Sequence, residues 1–466
     1  MSPTPAESAA STAPSPAPSS LTAARSAGDR DRAVRAAVEQ GLITPDAPVI
    51  GLLDVAGIRR TVAELHAAFR ELLPPGTPVL HAFAVKAASL VPVLRLLARE
   101  GLGCEVASPG ELALARAAGV GPERIVLDSP AKTPDELRTA LALGIAVNVD
   151  NREELARVDA LVGASVGTAS PLGLRVNAQL GGGDIDATST ATRTSKFGVA
   201  LRDEGARDWV VQAFLDRPWL NRLHGHVGSQ GMPTSVMAQG AQALYELAEE
   251  INEKAGRPQV TTLDIGGGLP VNFSSDEVTP TYREYAALLR ATVPGLFSGR
   301  YGLVTEFGRS LLAKHGTVLA RVEYAKTAGG RPIAVTHAGA QVAARTVYVP
   351  AAWPLRVTAY DEGGRPRSGA PVAQDVAGPC CFAGDLVAEN RPLPLLRAGD
   401  HVALLDTGAY YFSTHYAYNS LPRPGVYGYA PGDGDAPRFA VIRTPQTLEE
   451  LTAESGGAHR DALDGL

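Results

Sequence analysis

In the stretch "PVLHAFAVKAASL", residues 78–90, Lys86 follows an apolar run at the point where a strand gives way to a helix. Only six of the chain's 43 basic residues are lysines. An amine shielded by apolar neighbours can have its pKa lowered enough to react. Its common use is a Schiff base with a carbonyl substrate or with pyridoxal phosphate; a surface lysine at a strand end is the plainer alternative. "TLDIGGGLP" puts Gly266, Gly267 and Gly268 directly after another strand, where bare backbone N–H groups can approach an anion such as a phosphate. A tight turn would use the same residues. "HGHVGSQ" adds His226, suited to lie on an aromatic ring or to sit in a core, and Ser229, a further phosphate donor.

"TEFGRS" supplies Glu306 and Arg309. A carboxylate facing a pyridine nitrogen keeps that nitrogen protonated and the ring a strong electron sink, whereas a surface Glu/Arg pair would be worth little. "GPCCFAGD" carries Cys380, Cys381 and Asp385. A thiol beside a site can protonate a carbanion, or it can pack as a small hydrophobe. "GAYYFSTHYAYNSLPRP" is dense in tyrosine, with Tyr418 and Asn419 ahead of a proline-rich turn. Aromatic packing between subunits would explain it equally well.

The elements that must position these groups alternate. Short β-like runs occur at "VLHAFAVK", "LGCEVAS", "RIVLDS", "IAVNVD", "LGLRVN", "RLHGHVG", "TLDIGGG" and "LVTEFGR", separated mostly by segments with apolar residues three and four apart. This predicts an α/β fold, a (β/α)₈ barrel over residues 56–312. A doubly wound open sheet is the alternative, but no GxGxxG opens a helix after the first strand. Lys86, Ser108, Ser129, Asn177, His226, Gly266 and Glu306 fall at or just beyond the C-terminal ends of different strands, the rim where such barrels build their sites. After residue 313 the pattern changes. "GTVLARVEYAKTAGGRPIAVTHAG" reads as two strands around a Gly-Gly turn, and a β domain is expected over residues 313–450.

Composition bounds the partners. The chain has 466 residues, 45% hydrophobic and 20% charged, with a net charge of −6, which gives no reason to expect nucleic acid or an anionic membrane. Three cysteines, Cys104, Cys380 and Cys381, are too few for a disulfide framework, and no CxxC pair marks a zinc site. No metal is expected, and a reducing cytoplasm fits best. Residues 1–28, rich in Ala, Ser and Pro, read as a disordered tail without the apolar core of a secretory signal. Residues 451–466 read as a C-terminal tail.

Taken together, "FAVKA", "GLGCEVASPGEL", "LRVN", "SKFG", "HGHVGSQ", "LDIGGG", "EFGR", "CCFAGD" and "YNSLPRP" resemble the fold-type III pyridoxal-phosphate decarboxylases, the family of diaminopimelate, ornithine and biosynthetic arginine decarboxylases. The resemblance spans roughly residues 50–430. It implies a (β/α)₈ barrel plus a β-sandwich or β-barrel domain that borrows its first strand from residues 29–55, and a homodimer that shares its active sites. By position it implies that Lys86 bonds the cofactor, His226 stacks on its ring, and Ser229 with Gly266, Gly267 and Gly268 holds the phosphate near Arg309. It pairs Glu306 with the pyridine nitrogen, makes Cys381 the proton donor reaching a partner's site, and sets Tyr418 against phosphate and substrate. Arg309, Arg345, Phe382 and Asp385 are the remaining expected substrate contacts.

The departures bear on substrate. Where the diaminopimelate branch has Cys-Glu-Ser-Gly-Asp, this chain has "CFAGD", so Phe382 and Ala383 replace a carboxylate-bearing segment. "THAGAQVAARTVY" is likewise neutral where the family carries acids, although Arg345 remains to meet a distal carboxylate. Phe307 replaces a usual proline, and Glu105 stands where Asp is common. These changes point to decarboxylation of a diaminopimelate-like, basic or conjugated amino acid in specialised, siderophore-type metabolism. A pyridoxal-phosphate racemase or epimerase is the alternative, although such enzymes place an arginine at the pyridine nitrogen.

Overall fold

Each of the eight apolar runs forms a strand. The structure, a computed structural model, describes residues 18–164, 168–432, 434 and 436–466. The strands are β1 (Val79–Ala84), β2 (Gly103–Val106), β3 (Ile125–Leu127), β4 (Ala146–Val149), β5 (Leu172–Asn177), β6 (Leu220–His224), β7 (Thr262–Asp264) and β8 (Gly302–Thr305). Neighbours pair in parallel all the way round, and β8 closes the ring on β1 through the pair Leu303–Val79. Helices cover the outside, and several begin on side chains suited to the task. Ser108 caps Pro109–Ala117, while Thr133 and Thr281 form capping boxes with Glu136 and Glu284.

Outward strand residues such as Phe83, Leu174 and Leu263 join the large core beneath the helices. The lumen is different. Ala82, Val126, Ala146 and Val304 fill its lower end as a separate small cluster. Above them the inward positions are polar: Asn148, Arg175, Arg222, His224 and Asp264 are all buried. Asn148 Nδ2 donates to Asp264 at 3.1 Å, and Arg222 lies 3.3 Å from the same carboxylate. Gly173 makes room for them, since a Cβ there would lie 2.6 Å from Asn148 Oδ1 and 2.9 Å from Arg222 Cβ. Charges of this kind persist in a core only when paired, so this lumen is built to hold a charged site.

The second sheet is assembled from both ends of the chain. Val49–Asp54 pairs antiparallel with Gly316–Ala328 and parallel with Gly425–Ala430. The path continues outward through Arg331–Thr336, Pro371–Ala377 and Leu386–Pro394 on one side and Arg438–Arg443 on the other. The hairpin Gly316–Ala328 to Arg331–Thr336 turns on Gly329 and Gly330, both at positive φ (57° and 80°), as a two-residue hairpin requires. A kinked helix, Ala340–Tyr348, interrupts these strands.

Two features differ from the sequence expectation. A helix, Pro18–Glu39, begins inside the stretch expected to be a disordered tail; residues 1–17 lie outside the described residues. Its Ala33, Val34 and Ala37 pack with Ile50, Leu319, Tyr360 and Tyr429 on the second sheet, and that burial orders a segment whose composition alone argues against order. At the other end, the helix Leu448–Glu454, capped by Thr447, straddles the expected start of the C-terminal tail.

Candidate active site

Lys86 occupies a single 3₁₀ turn, Val85–Ala87, that starts where β1 ends. Its Nζ donates to Glu105 Oε2 at 2.8 Å. The lysine sits in a recess rather than on an outer face: its side chain remains 46% accessible although protein surrounds it, whereas Glu105 is wholly buried. Burial lowers the amine's pKa, but Glu105, Tyr410 and Glu306 raise it by more, so Lys86 is held as an ammonium above its ordinary range. This reverses the sequence expectation of a lowered lysine pKa. Apolar flanking residues suggested desolvation, and the buried carboxylate across from the amine outweighs it.

The triple glycine follows β7 directly. Gly266 and Gly268 adopt positive φ, 66° and 96°. A Cβ on Gly266 would meet His226 Nδ1 at 2.7 Å, and Cβ atoms on Gly267 and Gly268 would run into the carbonyls of Glu306 and Gly228. Glycine is therefore required for three loops, those after β6, β7 and β8, to meet here. Gly267 N–H donates to His226 Nδ1 at 3.1 Å. Burial, then the charges of Arg175, Lys86 and His224, hold the His226 pKa well below its usual range. A neutral imidazole with Nδ1 as acceptor results. Ser229 stands beside this loop, and its backbone amide is bonded to Thr188 O at 3.0 Å.

Glu306 lies just past β8, buried, with its amide bonded to Gly266 O at 2.8 Å. Its Oε2 is 3.5 Å from His224 Nε2, and His224 Nδ1 is 3.2 Å from Asp128 Oδ1. Burial and Asp264 raise the Glu306 pKa, His224 opposes them, and the balance is pushed up to about 8. For His224, burial works against the charge, yet Asp128, Glu306 and Asp264 push its pKa up to about 10. Asp128, His224 and Glu306 converge closely enough to suggest metal ligands. A protonated imidazole offers no lone pair, so the trio is an ion triad held by charge, with both His224 nitrogens and Asp128 Oδ1 lacking hydrogen-bond partners among the described residues. Nothing in the sequence reading singled out Asp128 or His224, although the H-x-H spacing in "HGHVGSQ" puts both histidines on the same side of the strand's course.

Arg309 and Arg345 share two aromatic neighbours. The Arg309 guanidinium lies 4.6 Å from the Trp353 ring and 4.5 Å from Tyr410; Arg345 lies 5.2 Å and 4.6 Å from the same rings. Neither has a carboxylate partner among the described residues. Burial and the neighbouring Arg345 pull the Arg309 pKa down to about 10. Tyr410 has φ 71°, a strained value for a tyrosine, and its amide donates to Ala87 O at 2.7 Å, tying this pair to the lysine turn. Trp353 lies in no stretch singled out in the sequence, and Tyr410 lies in the tyrosine-dense stretch from which only Tyr418 and Asn419 were picked out.

The other expected positions fall in a separate group. Cys381 is exposed, with its amide bonded to Asn419 Oδ1 at 2.8 Å. Cys380 is buried, its Sγ 3.7 Å from Gln341 Oε1, and burial then Asp385 push its pKa up to about 11. Phe382 stacks on Tyr348 at 5.5 Å and meets Tyr418 edge-on, and Tyr418 in turn stacks on Tyr416. Asp385 is buried and accepts from Ala340 N and Cys380 N, both at 2.6 Å. It pins the cysteine loop to the Ala340–Tyr348 helix. Ser108, Ser129 and Asn177 likewise bond local backbone amides, those of Glu111, Ala131 and Gln179. Phe307 packs outward among Phe69, Tyr282 and Tyr285.

A closed parallel barrel with a lysine after its first strand, a triple-glycine cradle and a buried glutamate after its last defines a pyridoxal-phosphate barrel. The residues fit that cofactor on independent grounds: Glu105 Oε1, Glu306 Oε1 and Arg309 Nε are buried polar atoms without hydrogen-bond partners, gathered at one rim. Comparison agrees. The model of the pyridoxal-dependent decarboxylase family, pyridoxal binding domain, matches residues 59–313. The chain is 34% identical over 380 residues to diaminopimelate decarboxylase of Pseudomonas aeruginosa, covering 81% of this chain and 86% of that one. It is 33% identical over 387 residues to the diaminopimelate decarboxylase of Actinosynnema pretiosum, covering 80% and 82%. The crystal structure of diaminopimelate decarboxylase from Helicobacter pylori complexed with L-lysine superposes with TM-score 0.74 at 25% identity, over 88% of this chain and 97% of that one. Lysine/ornithine decarboxylase from Vibrio vulnificus, complexed with putrescine, gives 0.67 at 26% identity, over 84% and 96%. This chain belongs to the pyridoxal-dependent decarboxylases of the diaminopimelate/ornithine type, and its cofactor is pyridoxal phosphate. The racemase alternative is not favoured: these relatives are decarboxylases. Among the described residues, no helix is long and apolar enough to cross a membrane.

Proposed function

We propose that this chain removes the α-carboxylate of an amino acid carrying a second, distal anionic group, with the site completed by a second copy in a homodimer. The observation that carries the reading is the pair of guanidiniums, Arg309 and Arg345, set against Trp353 and Tyr410 without a carboxylate of their own. A buried cation without a partner is costly, and an anionic substrate group offsets that cost.

In this reading Lys86 bonds the cofactor and Glu105 orients its amine. Gly266, Gly267, Gly268 and Ser229 hold the phosphate, and the neutral His226 covers the ring without adding charge. Glu306 meets the ring nitrogen. When bound, the cofactor supplies an electron-withdrawing ring that stabilises the electron pair left by departing CO₂. Cys381, exposed where Cys380 is buried, delivers the proton to the α-carbon in the partner's site, and Tyr418 contacts phosphate and substrate. Phe382 and Ala383 leave no carboxylate for a distal ammonium, and the rings of Tyr348, Phe382, Tyr416 and Tyr418 form an aromatic wall there instead. That wall suits a conjugated or modified amino acid, and with it a place in specialised, siderophore-type metabolism, while three free cysteines suit a cytoplasmic setting.

The test is mass spectrometry of the holoenzyme in D₂O with a pool of diaminopimelate, lysine, ornithine, arginine and citryl-diamino acid conjugates. A product lighter by CO₂, with one deuterium at the α-carbon and a retained distal carboxylate, is expected. Turnover of ornithine or lysine alone would overturn the distal-anion reading. Intact substrate bearing α-deuterium would overturn decarboxylation.

A further inference from the structure

The lumen holds a charged group for which no substrate or cofactor contact has been assigned. His224 ends β6, fully buried, with Asp128 on one side and Glu306 on the other. We propose that His224 is a positioning residue that sets the Glu306 carboxyl toward the ring nitrogen of the cofactor and favours its ionised form, with Asp128 fixing the imidazole from behind. The inference rests on the reading above that Glu306 faces that nitrogen.

The geometry sets the order of the three groups. Asp128 meets Nδ1, Glu306 meets Nε2, and the imidazole spans them. Asp128 is itself held by Arg175 Nη1 at 3.5 Å. These are ion-pair contacts rather than hydrogen bonds: His224 Nδ1 and Nε2, Asp128 Oδ1 and Glu306 Oε1 are buried without hydrogen-bond partners among the described residues, so charge and packing hold the Glu306 carboxyl in place. Glu306 also sits near Asp264, whose charge disfavours a second carboxylate. Without a cation at His224, burial and Asp264 would favour the neutral acid at Glu306 still more, and a neutral acid donates a proton where a protonated ring nitrogen needs an acceptor. The groups facing His224 are thus Asp128 after β3, Asp264 on β7 and Glu306 after β8. Arg175 on β5 lies behind Asp128, and the neutral His226 lies two residues along. Three carboxylates against one imidazole explain why it stays charged at neutral pH.

The experiment compares holoenzymes carrying Glu306→Gln, His224→Gln, the double substitution and Asp128→Asn, each read by the cofactor's visible absorbance from pH 6 to 9 and by steady-state kinetics. Glu306→Gln should alter the absorbance spectrum and its pH profile. His224→Gln should reproduce that change in part, with kcat falling about 10- to 100-fold and KM nearly unchanged. The double substitution should be no worse than Glu306→Gln alone, because the two act as one unit. Asp128→Asn, which keeps the shape, should show the same spectral change more weakly, and it decides the matter if His224→Gln does not fold. An unchanged spectrum in Glu306→Gln would refute the assignment of Glu306 itself. A changed spectrum there, with His224→Gln and Asp128→Asn both like wild type, would refute the role of His224 alone.

Discussion

Lys86 Nζ lies 2.8 Å from Glu105 Oε2, and that carboxylate has no exposed surface. A flexible, reactive amine is thereby fixed to a rigid strand of the barrel, and its charge is stabilised by a partner that cannot leave. The same contact raises the pKa of the amine that must become neutral to attack an aldehyde.

Replacing Glu105 by Gln removes the largest influence raising that pKa. The pH profile for capture of pyridoxal phosphate by the apoprotein should move to lower pH, by about one unit or more, since a close opposite charge shifts a pKa by one to three. Stopped-flow absorbance after mixing is the measurement. A profile unmoved, or moved upward, would refute the control of Lys86 by Glu105. Lys86→Ala should abolish covalent attachment altogether.

Arg345→Ala should raise KM for a substrate with a distal carboxylate by about 10- to 100-fold, the scale of a lost charge-assisted contact, with kcat within a few-fold. Arg345→Lys should recover little, because an ammonium lacks the delocalised guanidinium that lies over both the Trp353 and Tyr410 rings. Initial-rate kinetics on the substrate found by mass spectrometry would decide it.

The two adjacent thiols should separate cleanly. Under native conditions a maleimide should label Cys381 first, with Cys104 and Cys380 reacting only on unfolding. Cys381→Ala should lose turnover while Cys380→Ala keeps most of it. The opposite pattern would transfer the proton-donor role to Cys380.

Gly268→Ala places a side chain at φ 96° and drives its Cβ into the Gly228 carbonyl. The backbone conformation alone costs about 1–2 kcal/mol. Cofactor affinity, followed by absorbance titration, should fall sharply while far-UV circular dichroism stays that of the wild type.

His224 also makes a prediction about stability. Its folded pKa, about 10, lies above the ordinary 6.5, so its contribution is complete below about pH 6.5 and is lost as pH rises toward 10. Asp128 is held below its ordinary 3.8, so its contribution appears above that value and disappears as pH falls. Apoprotein melting temperature, wild type minus His224→Gln, should therefore be greatest between about pH 4 and 6.5 and decline toward pH 10. A difference that grows with pH would contradict the ion triad.

The eight barrel strands were legible because outward residues such as Phe83 and Leu263 are apolar, and because rim motifs such as "LDIGGG" mark where strands stop. Lumen residues were harder to read. Arg175, Arg222 and His224 alternate with apolar neighbours as on any half-exposed strand, so period two alone points them at solvent. Only closure of the ring turns that side inward. The helix Pro18–Glu39 escaped notice for the converse reason, since small alanines form its buried face and carry little hydrophobic signal.

Val49–Asp54 joins a sheet whose adjoining strands, Gly316–Ala328 and Gly425–Ala430, are synthesised only after the whole barrel. On the ribosome this apolar strand therefore emerges long before either neighbour and has no edge to join. The barrel, whose strands close through local crossovers, can finish in the meantime. The second sheet can be completed only after residues 425–430 are made, by pairing with a strand joined to the barrel through the helix Val55–Arg70. Severing the chain between the two units would leave that strand on the barrel and deny the remaining sheet its central member. The order in which this protein is made is thus written into the pairing of one six-residue strand.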